Sequence, residues 1–210
     1  MKRAAEEVRY LLDRGYQSGP AVRFVADHHR LPQESRFVLA RVVASSTVAA
    51  SRRGKLIPIE ELCGRTVSID GYNVLITIES LIIGAPVYLC DDGFLRDTRG
   101  IFRRYKSSDQ TTLALSEIIS ILKESGVGWA ELFLDQQISR SGELASQIRG
   151  MMTGFGVPGF AKTAKDVDRR LKLAKCPVAT GDGAIIDEAI EAVDIPAEVA
   201  KRRRIKGVVL

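Results

Sequence analysis

The sequence predicts an α/β protein, with a mostly parallel sheet flanked by helices and a small all-helical region ahead of it. Three observations carry that expectation. Up to about residue 60 the apolar residues recur with helical spacing. From residue 65 onward, short β-branched runs alternate with longer amphipathic stretches, the pattern of strands joined through helices. Four of the short runs end in aspartate, as expected where parallel strands deliver their carboxyl ends to one edge.

The first 60 residues read as three short helices. "RAAEEVRYLLDRG" puts Val8, Leu11 and Leu12 on one face, and Gly15 can close the helix in a left-handed conformation. "SGPAVRFVADHHR" opens with a cap at Ser18 and has Pro20 in its first turn. "PQESRFVLARVVASSTVAA" opens at Pro32 and carries Phe37, Val38, Ala40, Val42 and Val43. Such helices bury a common face and leave the arginines Arg9, Arg14, Arg23, Arg30, Arg36 and Arg41 on or near the outside. The short link between the second and third permits a helix-turn-helix, although any small helical bundle gives the same pattern. Ser51 to Gly64, with its Gly and Pro, reads as a linker, so that domains of 1–60 and 61–210 are expected.

In the second part the strand candidates are Thr66–Ile69, Pro86–Cys90, Glu131–Leu134 and Pro177–Thr180, with a short one near Val193–Ile195. The helix candidates are Tyr72–Ile83, Thr111–Ser125, Gly142–Thr153, Asp166–Ala174 and Ala184–Ala192. Gly71 to Cys90 carries a single charge, Glu79, and approaches the length of a membrane span. Asp70, Asn73, Glu79 and Pro86 would be costly in or beside lipid, so a buried helix followed by a buried strand is the better reading.

Composition narrows the class further. Cys63, Cys90 and Cys176 are far apart and odd in number, and His28 and His29 are adjacent; a reducing cytoplasm and no zinc site are expected. Residues 1–60 hold 11 Lys+Arg against 6 Asp+Glu, so the whole excess of +5 sits there, and residues 61–210 are balanced. Together with the basic tail "KRRRIK" (Lys201 to Lys206), this fits a polyanionic partner, with Arg23, Arg30, Arg36, Arg41, Arg52 and Arg53 as contacts. A solvated helical face reads the same excess equally well.

The chemistry is expected at the strand ends. TVSI runs into Asp70, PVYLC into Asp91 and Asp92, ELFL into Asp135, and PVAT through Gly181 into Asp182. Like charges gathered at one edge repel unless a cation neutralises them, and oxygen ligands of this kind suit Mg²⁺ or Mn²⁺. Each aspartate taken singly is as well explained as a helix cap or turn residue. Asp166 and Asp168 lie two apart near a helix start, where one can point toward the same edge. Ser139, Arg140, Ser141 and Gly142 offer hydroxyls and a helix N-terminus to a phosphate, or an ordinary serine cap. Asn73 can orient a water or phosphate, or bond backbone locally.

"SIDGYNVLI" resembles the opening strand and helix of NYN domains, a branch of the PIN-like nucleases, where an Asp-Gly-x-Asn stretch carries the first catalytic aspartate. "DVDRRLKLAKCPVATGDGAII" resembles the PIN-like ending, an acidic helix start before a strand closed by Thr180, Gly181 and Asp182. The likeness covers residues 66 to about 195, and the whole chain looks like archaeal proteins that join a small helical domain to such a PIN-like domain. It implies a Mg²⁺- or Mn²⁺-dependent ribonuclease; taken with the strand-end carboxylates, Asp70, Asp135 and Asp182 are expected to be catalytic and Asp70, Asp92, Asp135, Asp168 and Asp182 to hold the metal. Asp70, Asp182 and Asp168 (or Asp166) match motif positions; Asp135 and Asp92 have no counterpart there. Two other readings stand beside it: a non-catalytic nucleic-acid-binding protein with a degenerate PIN-like domain, and an enzyme acting on a small phosphorylated molecule.

Overall fold

The computed structural model describes residues 1–100 and 105–210. Four helices come first: α1 (Lys2–Asp13), α2 (Ser18–His28), α3 (Gln33–Val42) and α4 (Ser46–Arg53). The expected third helix is thus two. It stops at the β-branched pair Val42–Val43, and Ser45 restarts it, its side chain accepting from the Val48 N–H. Ala4, Ala5 and Val8 of α1 meet Val22 and Val25 of α2 and Leu39 of α3 in a small core of their own.

The segment expected as a linker holds the end of α4 and a 3₁₀ turn, Ile59–Leu62. The α/β part follows: β1 (Thr66–Asp70), α5 (Gly71–Ile82), β2 (Val87–Leu89), β3 (Leu95–Asp97), α6 (Asp109–Glu124), β4 (Trp129–Asp135), α7 (Ser141–Phe155), β5 (Gly159–Ala164), α8 (Val167–Lys172), β6 (Val178–Ala179), α9 (Gly183–Ile186), β7 (Ala192–Val193) and α10 (Ile195–Arg202). β1, β4, β5, β6 and β7 form one parallel sheet in the order β5-β4-β1-β6-β7. Side chains alternate across it. Leu132 and Leu134 of β4 join the core made with α5, α6, α7 and α10. Phe133 faces the other way and packs with Val167, Leu171 and Ile185 of α8 and α9.

PVYLC departs from expectation. β2 pairs antiparallel with β3 in a separate hairpin, because a short polar turn returns the chain on itself, so Asp91 and Asp92 do not reach the carboxyl edge of the parallel sheet. The basic tail is also not a tail. Lys201 and Arg202 close α10, Arg202 pairs with Glu124 and Glu198, Arg203 pairs with Glu117, and Val208 exchanges backbone hydrogen bonds with Val87 and Leu89. The stretch after Asp70 with its single charge is α5, buried against the sheet on one side and α6 and α10 on the other. Its one charge, Glu79, accepts from the Tyr105 and Thr111 hydroxyls and from Arg99. Among the described residues no helix is long and apolar enough to cross a membrane.

The sheet order fixes where a ligand can enter. The chain leaves β1 toward β4 and leaves β6 toward β7, so the loops after these two neighbours part in opposite directions and leave a crevice between them. Gly71 permits the turn at its floor: a Cβ there would stand 2.6 Å from a Leu134 methyl and 2.7 Å from the Phe133 carbonyl.

Candidate functional site

β1 ends at Asp70, which caps α5 through the Asn73 N–H at 3.4 Å and accepts from the Thr180 hydroxyl at 2.9 Å. That hydroxyl accepts in turn from the Asp182 N–H at 3.0 Å, so Thr180 ties the ends of β1 and β6 together. Asp182 caps the short helix α9 through Ala184, and Asn73 reaches across to take the Gly181 N–H at 2.7 Å. Both aspartates are therefore caps. Asn73 is a backbone clamp, and a Cβ on Gly181 would crowd its amide oxygen at 3.0 Å.

Capping does not exhaust them. Asp70, Asp135, Asp168 and Asp182 all line one cavity of about 280 Å³ at the carboxyl edge of the sheet. Asp135 arrives at the end of β4, beside β1, with one oxygen taken by the Gln137 N–H. Asp168 arrives on the first turn of α8, whereas Asp166 is held by Arg170 at 2.7 Å. Burial pushes the Asp70 carboxyl up to about 7; hydrogen bonds from Thr180 and Asn73 oppose this, and the charges of Asp182 and Asp168 add to it. Burial and the Asp135 charge push the Tyr72 hydroxyl up to about 12. These are the signs of a negative cluster in a partly dry setting.

Other expected residues lie elsewhere. Asp92 is 1% exposed and grips Arg96 with both oxygens, at 2.8 and 2.7 Å, while Arg52 adds a third bond. Burial raises its pKa, but Arg96 and Arg52 outweigh that and hold it below the usual carboxylate range. It is a structural anion rather than a member of the cluster. It acts at one remove, since Arg96 also donates to the Gly181 carbonyl. Ser139, Arg140 and Ser141 line neither this cavity nor a second one of about 700 Å³ that shares Asp135 and Asp168 with it. The Ser141 N–H is taken by the Ile138 carbonyl, and Arg140 is turned outward to Glu143.

The arginines divide as well. Arg23 and Arg30 are exposed, and Arg36 pairs with Asp27. Arg52 grips Asp187 and Asp92, and Arg53 donates to the Asp91 carbonyl, so these two fasten the helical region to the α/β part. Arg9 does the same, through two bonds to Asp91 at 2.8 Å. Arg41 alone of the six expected contacts lines the cavity, its Nε donating to the Asp97 carbonyl at 2.8 Å.

Asp97 lines the cavity too, accepting from Thr77 and from the Arg99 N–H, and sequence reasoning passed over it. Its signal was slight, since "FLRD" alternates over only a few residues within an otherwise polar turn.

The donor set is all oxygen, which fits a hard divalent cation. Among the described residues no three acidic, histidine or cysteine side chains already surround one point closely enough to hold an ion. Ligation would thus take side-chain rotation or bridging water, and Mg²⁺ commonly keeps several of its waters.

Residues 59–198 match the family model described as "Domain of unknown function (DUF5616)", and residues 1–55 match "Protein of unknown function (DUF434)". An uncharacterized protein of Methanocaldococcus jannaschii is 37% identical over 200 residues, covering 94% of this chain and 95% of the relative. No solved structure matches the chain.

Proposed function

The chain belongs to the DUF5616 family, and from the carboxylates gathered at Asp70 we propose that it is a PIN-like, metal-dependent phosphodiesterase that cleaves RNA in the cytoplasm. The observation that carries this reading is the arrival of Asp70, Asp135, Asp168 and Asp182, from four separate elements, at one cavity. Caps alone do not require it. A cap needs only its own helix start, which accounts for Asp70 and Asp182 singly. It does not account for the presence beside them of Asp135 and Asp168, neither of which caps a helix, nor for a space in which the charges of Asp182 and Asp168 raise the cost of ionising Asp70.

Those four aspartates would hold Mg²⁺ or Mn²⁺. When bound, the metal neutralises phosphate charge and lowers the pKa of a bound water. The chain supplies the rest. Thr180 fixes the Asp70 carboxylate, and Asn73 fixes the β6 loop that carries Asp182. Asp135 and Asp168 are less enclosed than Asp70 and also line the second cavity, so they are the members of the set most open to water. Arg41, held by Asp97, brings positive charge to the cavity for an incoming phosphate.

Purified protein with Mn²⁺ should cut single-stranded RNA, and EDTA should stop it. Asp70→Asn or Asp182→Asn should lower the rate by roughly two orders of magnitude or more, as loss of a charged group at a metal centre does. Equal rates for wild type and both variants would reject the site.

A further inference from the structure

We propose that α3 of the helical region builds a nucleotide-gripping wall on this cavity. In it Phe37 stacks an unpaired base and Arg41 holds the adjoining phosphate, so that the ligand is a single strand rather than a duplex. The proposal rests on the reading above only in taking a nucleotide as the ligand.

Phe37 and Arg41 are four residues apart and so share a helix face. Both line the carboxylate cavity. The core of the helical region does not use that face: α3 buries Val38, Leu39 and Val42 instead. Phe37 remains 42% exposed, with the backbone at Gly100 beside the ring edge. An aromatic side chain with two-fifths of its surface open thus lines an acidic cavity, with a guanidinium one turn along. It offers what a nucleotide needs in two pieces, a flat apolar surface for the base and a cation for the phosphate. Asp97 fixes the cation, because the Arg41 Nε is spent on its carbonyl. The buried apolar side chains Ile76 and Val167 add apolar surface to the cavity lining.

The geometry also selects the strand. A base inside a duplex has both faces stacked, so only an unpaired base can lie on Phe37. The acidic edge repels a bare phosphate, so Arg41 has to take it. The helical region thus completes the site of the α/β part.

The test uses the full chain in EDTA and measures binding of two fluorescent probes of equal length and charge. One is a single-stranded oligonucleotide, and the other is the same backbone without bases. Wild type should bind the base-bearing strand roughly tenfold more tightly, within the range found for one aromatic–base stack. Phe37→Ala should bring the two probes level, Phe37→Tyr should keep the difference, and Arg41→Gln should weaken both probes alike, because a phosphate contact carries no base information. Equal binding of both probes by wild type, or a base preference that survives in Phe37→Ala, would overturn the proposal. A base preference that needs Phe37 in a protein with no Mn²⁺-dependent cleavage would reject the nuclease and keep the wall. Cleavage without such a preference would do the reverse.

Discussion

Asp70 sits where two local demands meet, as the cap of α5 and as the most buried member of an anionic cluster. The second demand leaves a mark on stability. An unfolded aspartate ionises near 3.8, whereas Asp70 in the fold keeps its proton until about 7. Between those values the native state binds the extra proton, so the contribution of Asp70 to stability is greatest below pH 4, falls as the pH rises toward 7, and is level above that. Asparagine keeps the cap and removes the charge. In EDTA, the stability of Asp70→Asn relative to wild type should therefore climb from pH 4 to 7 by up to about 4 kcal/mol and then stay flat. Urea unfolding at a series of pH values measures it, and a difference independent of pH would mean that Asp70 ionises freely. Asp194, pushed by burial to about 6, acts in the same sense in both proteins and cancels from the difference.

At the scale of elements, β1, β4 and β6 and the aspartates they deliver were readable because apolar runs ending in Asp at a helix start are a local signal. β5 was not, for it opens with Gly159 and carries the exposed Lys162 as an edge strand does. β2 was seen as a strand but assigned to the wrong sheet, since pairing partners are not written in a strand's own residues. α10 was hidden because "KRRRIK" drew attention as charge, while Asp194 caps the helix upstream of it. Asp92 shows the consequence. Read at a strand end it looked like a ligand; in the hairpin it holds Arg96. Asp92→Asn should cost roughly 3–5 kcal/mol, because it strands a buried guanidinium, yet the protein should keep its response to Mn²⁺. A thermal melt of the variant with and without the metal checks both halves.

For the whole molecule, the excess charge of residues 1–60 took on a different meaning once the parts were assembled. Arg9, Arg52 and Arg53 clamp the helical region to Asp91, Asp92 and Asp187, and Arg41 is delivered to the cavity. The central claim is that the four aspartates form a cation site, and a metal that binds only the native state raises its stability. Melting curves of wild type, Asp70→Asn and Asp182→Asn, each in EDTA and in Mn²⁺, test this most directly. Wild type should gain roughly 5–10 °C at a metal concentration about a hundredfold above Kd, and both variants should gain much less. The same shift in all three proteins, including none, would contradict the account and leave the aspartates as caps.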